Sequence, residues 1–347
     1  MNNKYSNLKI AWFPDKLNSL LEERVSAPIC VRIKPTNRCC HNCYFCVYNY
    51  EFSQMHEHVL RGDEIPVGKM MEILEDLSAI GVKAITLSGG GEPLIHKNIE
   101  DILQKTLDCK LDLSMLTNGQ ELEGKKAELM AEAKWIRISM DYWNNEMFTD
   151  TRKVKPEFFY KIVKNIKNFT KINKKCDLGV NYIITKKNYT TLIEAFDFIT
   201  SLGVDNIRFS PLWVPDFNIY HQFIKHEVLN QLNQIYKKAP KETSVYDTYK
   251  IVPEITTRTY NRCYFLQIVP VIGADLNIYN CHNKAYDSNG IIGSIKKKKF
   301  SEIWFSYETL NYFKTFRPDL ICNHQCANDT KNKYIHEIIT CSEDNYV

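Results

Sequence analysis

Long apolar stretches are missing from this chain. No run of 18 or more apolar residues occurs among its 347 residues, so the sequence excludes a membrane-spanning helix. The first residues, Met1-Asn2-Asn3-Lys4-Tyr5-Ser6-Asn7, open onto no apolar segment. A secretory signal is therefore not expected, and a cytoplasmic location is. Charge of one sign is scarce as well. With 45 basic and 41 acidic residues the net charge is only +4, which makes no case for nucleic acid as a partner. Residues 1–28 hold one short helical pattern, Lys16 to Glu23 with Leu17, Leu20 and Leu21. That is too little for a separate peptide-recognition domain.

What is present is ordinary globular material with an unusual amount of sulfur. Apolar residues make up 44% and charged residues 25%, enough to bury a large core over about two domains. Twelve cysteines in a chain without a signal argue for metal or redox chemistry over a disulfide framework.

From residue 29 to about 211 the pattern alternates between strand and helix. Strands are expected over Ile29–Lys34, Ala84–Ser88, Leu111–Leu116, Trp135–Met140, Leu178–Thr185 and Asn206–Ser210. Helices are expected over Val67–Ile80, Ile95–Leu107, Leu122–Ala133, Pro156–Thr170 and Leu192–Leu202. Met70, Met71, Leu74, Leu77 and Ile80 share one helical face. Such alternation implies parallel strands with right-handed crossovers. Six units fall short of the eight that close a barrel, so the expected fold is α/β, a partial (β/α)6 TIM-like barrel. Trp213–His221 reads as irregular, Glu227–Lys238 as a helix and Ala239–Thr257 as a polar connector. The domain expectation is a lead-in helix over 1–28, the barrel over 29–240 and a small α+β domain over 241–347.

In such barrels the chemistry sits at the C-terminal ends of the strands. There, after the first strand, stands Arg38-Cys39-Cys40-His41-Asn42-Cys43-Tyr44-Phe45-Cys46. Cys39, Cys43 and Cys46 read C-x3-C-x2-C. Three thiolates can wrap three irons of a cubane cluster and leave the fourth open to a small chelating molecule. Cys40 reads as a bystander, although Cys40-x2-Cys43-x2-Cys46 is a second possible ligand set. His41 reads as exposed filler. After the second strand comes Ser88-Gly89-Gly90-Gly91-Glu92-Pro93. Its glycines permit close backbone approach to a ligand, and Glu92 can pair with a ligand ammonium. Asn118 follows the third strand, and Ser139 and Asp141 follow the fourth. Each alone reads as a cap or turn former; together they describe a small polar site on the same rim.

These residues resemble those of the radical S-adenosylmethionine (radical SAM) enzymes. The resemblance covers the cysteine loop with Phe45 before its last cysteine, the Gly90-Gly91-Glu92 segment, Ser139, Asp141 and the barrel order. It implies that Cys39, Cys43 and Cys46 bind a [4Fe–4S] cluster whose open iron is chelated by the amino and carboxylate groups of S-adenosylmethionine. It implies that Gly90, Gly91 and Glu92 hold the SAM amino group, and that Ser139 and Arg152 contact its ribose or carboxylate. Asn118 and Asp141 complete the cofactor's polar rim. The Phe45 backbone and the sixth strand, Ile207 to Pro211, flank the adenine. The implied chemistry is reductive cleavage of SAM and hydrogen abstraction from a substrate by the resulting 5′-deoxyadenosyl radical, with a flavodoxin or ferredoxin as electron donor. No catalytic acid, base or hydrogen donor is assigned.

The C-terminal region holds Cys263, a hairpin pattern over Ile272–Cys281, the run Gly290–Ile295, a helix start at Phe300–Trp304, and Cys322-Asn323-His324-Gln325-Cys326. Cys263, Cys281, Cys322 and Cys326 can ligate one metal centre fully, and structural zinc also suits four thiolates. The order resembles the auxiliary-cluster region of the SPASM/twitch subgroup. A dense central cysteine group is lacking, which implies the smaller form with one auxiliary [4Fe–4S] cluster. Such a cluster would take an electron from a substrate radical, favouring oxidation, with epimerisation or elimination as redox-neutral alternatives. The substrate expected is a sugar or cyclitol-type small molecule, the alternative a peptide. A zinc or iron–sulfur scaffold or redox sensor is the non-enzyme reading. Genomic context apart, the sequence separates these no further.

Overall fold

The computed structural model describes residues 6–48, 59–172, 174–214, 217–249, 258–322 and 326–341. The first five residues, the end of the connector (250–257) and the three residues between Cys322 and Cys326 lie outside that set.

Seven parallel strands form the centre: β1 (Cys30–Ile33), β2 (Ala84–Leu87), β3 (Asp112–Thr117), β4 (Trp135–Ser139), β5 (Asp177–Ile184), β6 (Asn206–Pro211) and β7 (Ser244–Asp247). A lead-in helix, α1 (Pro14–Leu21), precedes them. Between them run α2 (Val67–Ala79), α3 (Ile99–Asp108), α4 (Gly124–Ala131), α5 (Asn145–Arg152), α6 (Glu157–Phe169), α7 (Leu192–Thr200), α8 (Phe217–Gln222) and α9 (Lys225–Lys238). The sheet continues through β8 (Val271–Ile272), β9 (Asn277–Tyr279) and β10 (Ile291–Ser294), giving the open order β10-β9-β8-β1-β2-β3-β4-β5-β6-β7. The fold is therefore α/β with an unclosed barrel, as the alternation implied.

Each strand has two faces because side chains alternate. One face packs on the helices: Val31, Ile33, Ile85, Leu87, Ile136 and Ile138 are fully buried. The other lines the barrel lumen and carries Arg32, Thr86 and Ser114 side by side in register, with Arg137 and Ser139 further along β4. Helix α2 buries Met70, Ile73, Leu74 and Leu77, each worth about 2 kcal/mol against exposure. The expected face is shifted by a residue at each side, with Met71 and Ile80 only half-buried. Gly81, at φ 91°, ends the helix in a conformation other residues avoid.

Three elements differ from the sequence expectation. Tyr142–Lys153 contains helix α5, which Asn144 caps by accepting from the Met147 amide at 2.8 Å. The region 213–221 includes α8, expected to be irregular. The connector includes β7, whose register against β6 runs Asn206 to Ser244 through Phe209 to Asp247. A short, half-exposed edge strand has too few apolar residues to show a period of two.

The C-terminal region is packed into the barrel. β8 pairs parallel with β1, Arg32 opposite Val271 and Ile33 opposite Ile272. The helices α10 (Phe300–Trp304), α11 (Tyr307–Thr315), α12 (Pro318–Ile321) and α13 (Asp329–Thr340) follow. Trp304 is fully buried in the barrel's own hydrophobic core, and its indole donates to the Ser26 carbonyl at 2.9 Å. Ser301 ties α10 to α2 through Asp76, at 2.7 and 2.8 Å.

Candidate active site

The cysteine loop and the glycine loop are a single unit. The Gly91 amide donates to the Thr36 carbonyl at 3.0 Å and the Glu92 amide to the Arg38 carbonyl at 2.8 Å. A Cβ on Gly91 would stand 1.8 Å from the Arg38 carbonyl oxygen, and one on Gly90 would stand 2.0 Å from the Asn37 side-chain oxygen. What the glycines admit is thus first the cysteine loop itself. On its other side that loop is clamped to α5: the Asn42 amide donates to the Arg152 carbonyl at 2.9 Å and the Tyr44 amide to Thr151 at 3.2 Å.

Glu92 is buried and bridges strand ends. Its carboxylate accepts from the Thr117 hydroxyl at 2.5 Å, the Asn118 amide at 2.6 Å and the Leu94 amide at 3.0 Å. Burial pushes its pKa up, and these three donors oppose the rise. Thr117, which the sequence did not single out, belongs to this arrangement. Its signal was its place as the last residue of a strand on the same rim.

Arg152 joins the fourth strand to the thiols. Its guanidinium donates to the Ser139 carbonyl at 2.8 Å, to the Asp141 carboxylate, and to Cys43 Sγ at 3.1 Å. The Arg152 and Asp141 side chains are almost wholly buried. Burial works against the Arg152 charge, but the Asp141 carboxylate, Cys43 and Tyr142 together outweigh it and hold Arg152 protonated. Burial raises Asp141, with Arg152 pulling it back. Asn188 fixes the turn by donating to the Asp141 carbonyl at 3.1 Å.

Cys43 is buried beside Cys46, within electrostatic range, and burial pushes its thiol up to about 11. Cys39 is exposed and lies across the loop, against Cys40 and near Glu92. Cys40 accepts from the Asn118 side-chain amide at 3.2 Å. The structure so gathers Cys39, Cys43 and Cys46 on one loop, Asn118 and Glu92 on one side of it and Ser139, Asp141 and Arg152 on the other. Phe45 is buried against Leu212, just past β6. His41 is a correction. It is buried, hydrogen-bonded to the Gln120 side chain at 3.0 Å and set edge-on to Phe148, so it packs the loop from beneath. Burial takes its pKa down to about 3.

A second thiol group forms beyond the barrel. Cys263 precedes a short 3-10 turn, Cys281 follows β9, Cys322 follows α12 and Cys326 precedes α13. They lie within electrostatic range: Cys326, Cys281 and Cys322 raise Cys263, Cys326 and Cys322 raise Cys281, and Cys326 raises Cys322. Burial comes first, and the neighbouring thiols add to it, bringing Cys281 to about 12 and Cys322 to about 11. Four half-buried thiols cannot ionise together at low cost unless a cation joins them, so the donor set fits a metal centre. Among the described residues no three His, Cys, Asp or Glu side chains close as a ligand group around one ion. Helix α13 anchors the group: the Asn332 side chain accepts from the Tyr264 amide at 2.7 Å and donates to the Arg262 carbonyl at 3.0 Å.

Comparison with known proteins agrees with this geometry. Residues 33–205 match the family model described as the radical SAM superfamily. A GTP 3′,8-cyclase of Nautilia profundicola is 26% identical over 182 residues, covering 52% of this chain and 54% of that protein. A GTP 3′,8-cyclase of Campylobacter fetus is 32% identical over 185 residues, covering 50% and 52%. This chain therefore spans about half the length of these curated relatives. Among solved structures, SuiB of Streptococcus suis bound to its precursor peptide SuiA aligns with a TM-score of 0.64 at 18% identity, over 88% of this chain and 71% of that one. The structure of anSMEcpe with bound AdoMet aligns with a TM-score of 0.63 at 15% identity, over 90% and 96%. At these identities the likeness is one of fold.

Proposed function

Because the chain belongs to the radical SAM superfamily, whose enzymes work with S-adenosylmethionine and a [4Fe–4S] cluster, we propose that it abstracts hydrogen from a sugar-bearing or cyclitol-type small molecule bound in the barrel lumen. The observation that carries this reading is the convergence of the cysteine loop, the Glu92 bridge and the Arg152–Asp141 pair at the C-terminal ends of β1 to β4. In it, Cys39, Cys43 and Cys46 hold the cluster. Gly90, Gly91, Glu92, Asn118, Ser139, Asp141 and Arg152 hold SAM, with Phe45 beside the adenine.

When bound, the two cofactors supply a primary alkyl radical able to take hydrogen from an unactivated C–H bond. The chain's own residues do the rest. Thr36 and Arg38 fix the glycine loop through their carbonyls, so the strand ends cannot shift when ligand enters. Asp141 keeps Arg152 charged at a buried place, ready for a carboxylate. Phe45, Leu212 and the partly buried Tyr220 exclude water from that side.

The thiols of Cys263, Cys281, Cys322 and Cys326 form, in this reading, the ligands of one auxiliary [4Fe–4S] cluster, and residues 241–347 act as the unit that carries it beside the 29–240 barrel. An acceptor there suits a net two-electron oxidation; epimerisation would leave it idle. The curated relatives favour a small molecule, GTP being itself sugar-bearing.

The test is anaerobic reconstitution followed by dithionite and a count of 5′-deoxyadenosine. Product is expected, and its loss is expected in Cys39→Ala, Cys43→Ala and Cys46→Ala. Zinc at both thiol sites with no SAM cleavage would sink the enzyme reading in favour of a scaffold. Stimulation of cleavage by a peptide, and by no nucleotide, sugar or cyclitol, would replace the substrate class with the peptide alternative.

A further inference from the structure

The turn that follows Cys281 reaches back to the first site. It is closed on itself: the Asn280 amide donates to the Gly290 carbonyl at 2.9 Å, the Lys284 amide to the Cys281 carbonyl at 3.3 Å, and the Lys284 ammonium pairs with Asp287 at 2.7 Å. A Cβ on Gly290 would stand 2.2 Å from the Lys284 carbonyl oxygen, so the turn has no slack. It carries Tyr286, whose φ of 67° is left-handed. Bulky residues rarely adopt that conformation, and it persists where the surroundings over-determine it.

Tyr286 is fully buried at the base of the cysteine and glycine loops. Its hydroxyl donates to the Asn37 side-chain oxygen and accepts from the Ala274 amide at 3.1 Å. Asn37 stands two residues before Cys39. It is itself buried, and its side-chain amide donates to the Leu60 carbonyl at 3.0 Å. The Asn37 oxygen is the atom that a Cβ on Gly90 would meet at 2.0 Å, and the Tyr286 hydroxyl lies 3.3 Å from the same point. Lys34 backs the arrangement. Fully buried, it donates to the Gly89 carbonyl at 3.0 Å and to the Tyr48 hydroxyl at 2.5 Å. The Tyr48 ring stands edge-on to Tyr286, centres 6.1 Å apart.

Resting on the reading that these loops hold SAM, we propose that Tyr286 is a positioning residue for the SAM site, through which metal at the second thiol set governs SAM affinity. A metal bound to Cys281 holds the start of the turn. The turn holds Tyr286 in its left-handed backbone, and the Tyr286 hydroxyl holds Asn37 beside Gly90. With the second set empty the turn relaxes, and the buried Asn37 oxygen loses the donor that orients it. An unpaired buried oxygen is costly, so both loops shift to relieve it. Two sites joined in this way share a coupling that runs in both directions.

Anaerobic SAM-binding titration and amide hydrogen exchange over residues 36–46 and 89–92, on the reconstituted full-length protein, test this. Emptying the second set with Cys263→Ala and Cys322→Ala should weaken SAM binding by about fivefold or more and speed exchange in both segments. Tyr286→Phe should do the same while the iron count stays that of the parent, and adding it to the emptied variant should cost nothing further. Tyr279→Phe is the control. It loses a hydroxyl bond to Asp275 at 2.6 Å beside the Tyr286 ring and should leave SAM affinity unchanged. If the emptied variant does not fold, the reverse coupling decides: SAM should slow removal of second-set iron by a chelator in the parent and not in Tyr286→Phe. Parent affinity and exchange in Tyr286→Phe, additive losses, or an equal loss in Tyr279→Phe overturn the proposal. A parent that binds no SAM removes the SAM reading, and exchange in the two segments still decides the coupling. SAM binding and cleavage that ignore the second set do the reverse.

Discussion

Replacing Asp141 by alanine isolates the energetics of the buried pair at the centre of the site. Among the described residues its carboxylate is the only acidic partner of Arg152, and both side chains are at most 5% exposed. Removing one partner of such a pair costs about 3–5 kcal/mol, because the remaining charge is left buried. Arg152 would keep two acceptors, the Ser139 carbonyl at 2.8 Å and Cys43 Sγ at 3.1 Å, so the lower end, about 3 kcal/mol, is expected. The double variant Asp141→Leu with Arg152→Met removes both charges and fills similar volume. It should regain most of that loss, to within about 1 kcal/mol of the parent. Urea unfolding reads this as a fall in the midpoint at constant slope for the single variant and its recovery in the double. SAM cleavage should not recover. The double variant has no arginine to reach Ser139 and Cys43, and misplacement at a reacting centre costs about a hundredfold. A double variant no more stable than the single one, or one that regains cleavage, refutes the reasoning.

Other expectations follow from single contacts. Gly91→Ala puts a carbon 1.8 Å from the Arg38 carbonyl and should lower iron incorporation at the first site, while Gly68→Ala, with open space around it, should leave the iron count unchanged. Full reconstitution should yield about eight irons per chain, four from each cubane, and replacing Cys263 and Cys322 by alanine should halve that while leaving some uncoupled SAM cleavage; an unchanged count would remove the auxiliary assignment. Burial brings Lys16 down to about 7, below its value of about 10.4 in the unfolded chain. Between those values the unfolded chain binds the extra proton, so stability rises with pH, by at most about 1.4 kcal/mol per unit. The cost is greatest below about pH 7. The stability of the protein relative to Lys16→Met should climb from pH 7 to 10; a flat difference would show that the oxygens of Ser26 and Ala27, within 3.2 Å of the ammonium, keep it charged throughout.

Much of the fold was legible because long, strongly periodic segments leave few choices. Ala84–Leu87, Trp135–Ser139 and Val67–Ala79 fall within a residue of their expected limits. Short elements were not legible. β7 has four residues, and α5 and α8 carry too few apolar residues to show an amphipathic stripe. His41 misled because a polar residue in a loop looks exposed until the Gln120 side chain is known to lie opposite. Thr117, seventy-eight positions beyond Cys39, was marked only by its place at the end of a strand.

By itself the sequence determined the strand–helix rhythm, the three-cysteine loop after the first strand, the glycine–glutamate loop after the second and the presence of four further cysteines far downstream. These are consequences of local spacing, and spacing is written in the chain. Only the tertiary structure decided that the glycines admit the cysteine loop, that Arg152 reaches Cys43 across 109 positions, and that β8 continues the sheet from β1. Those facts depend on strand register and on which face each residue takes, and register is fixed by the whole core at once.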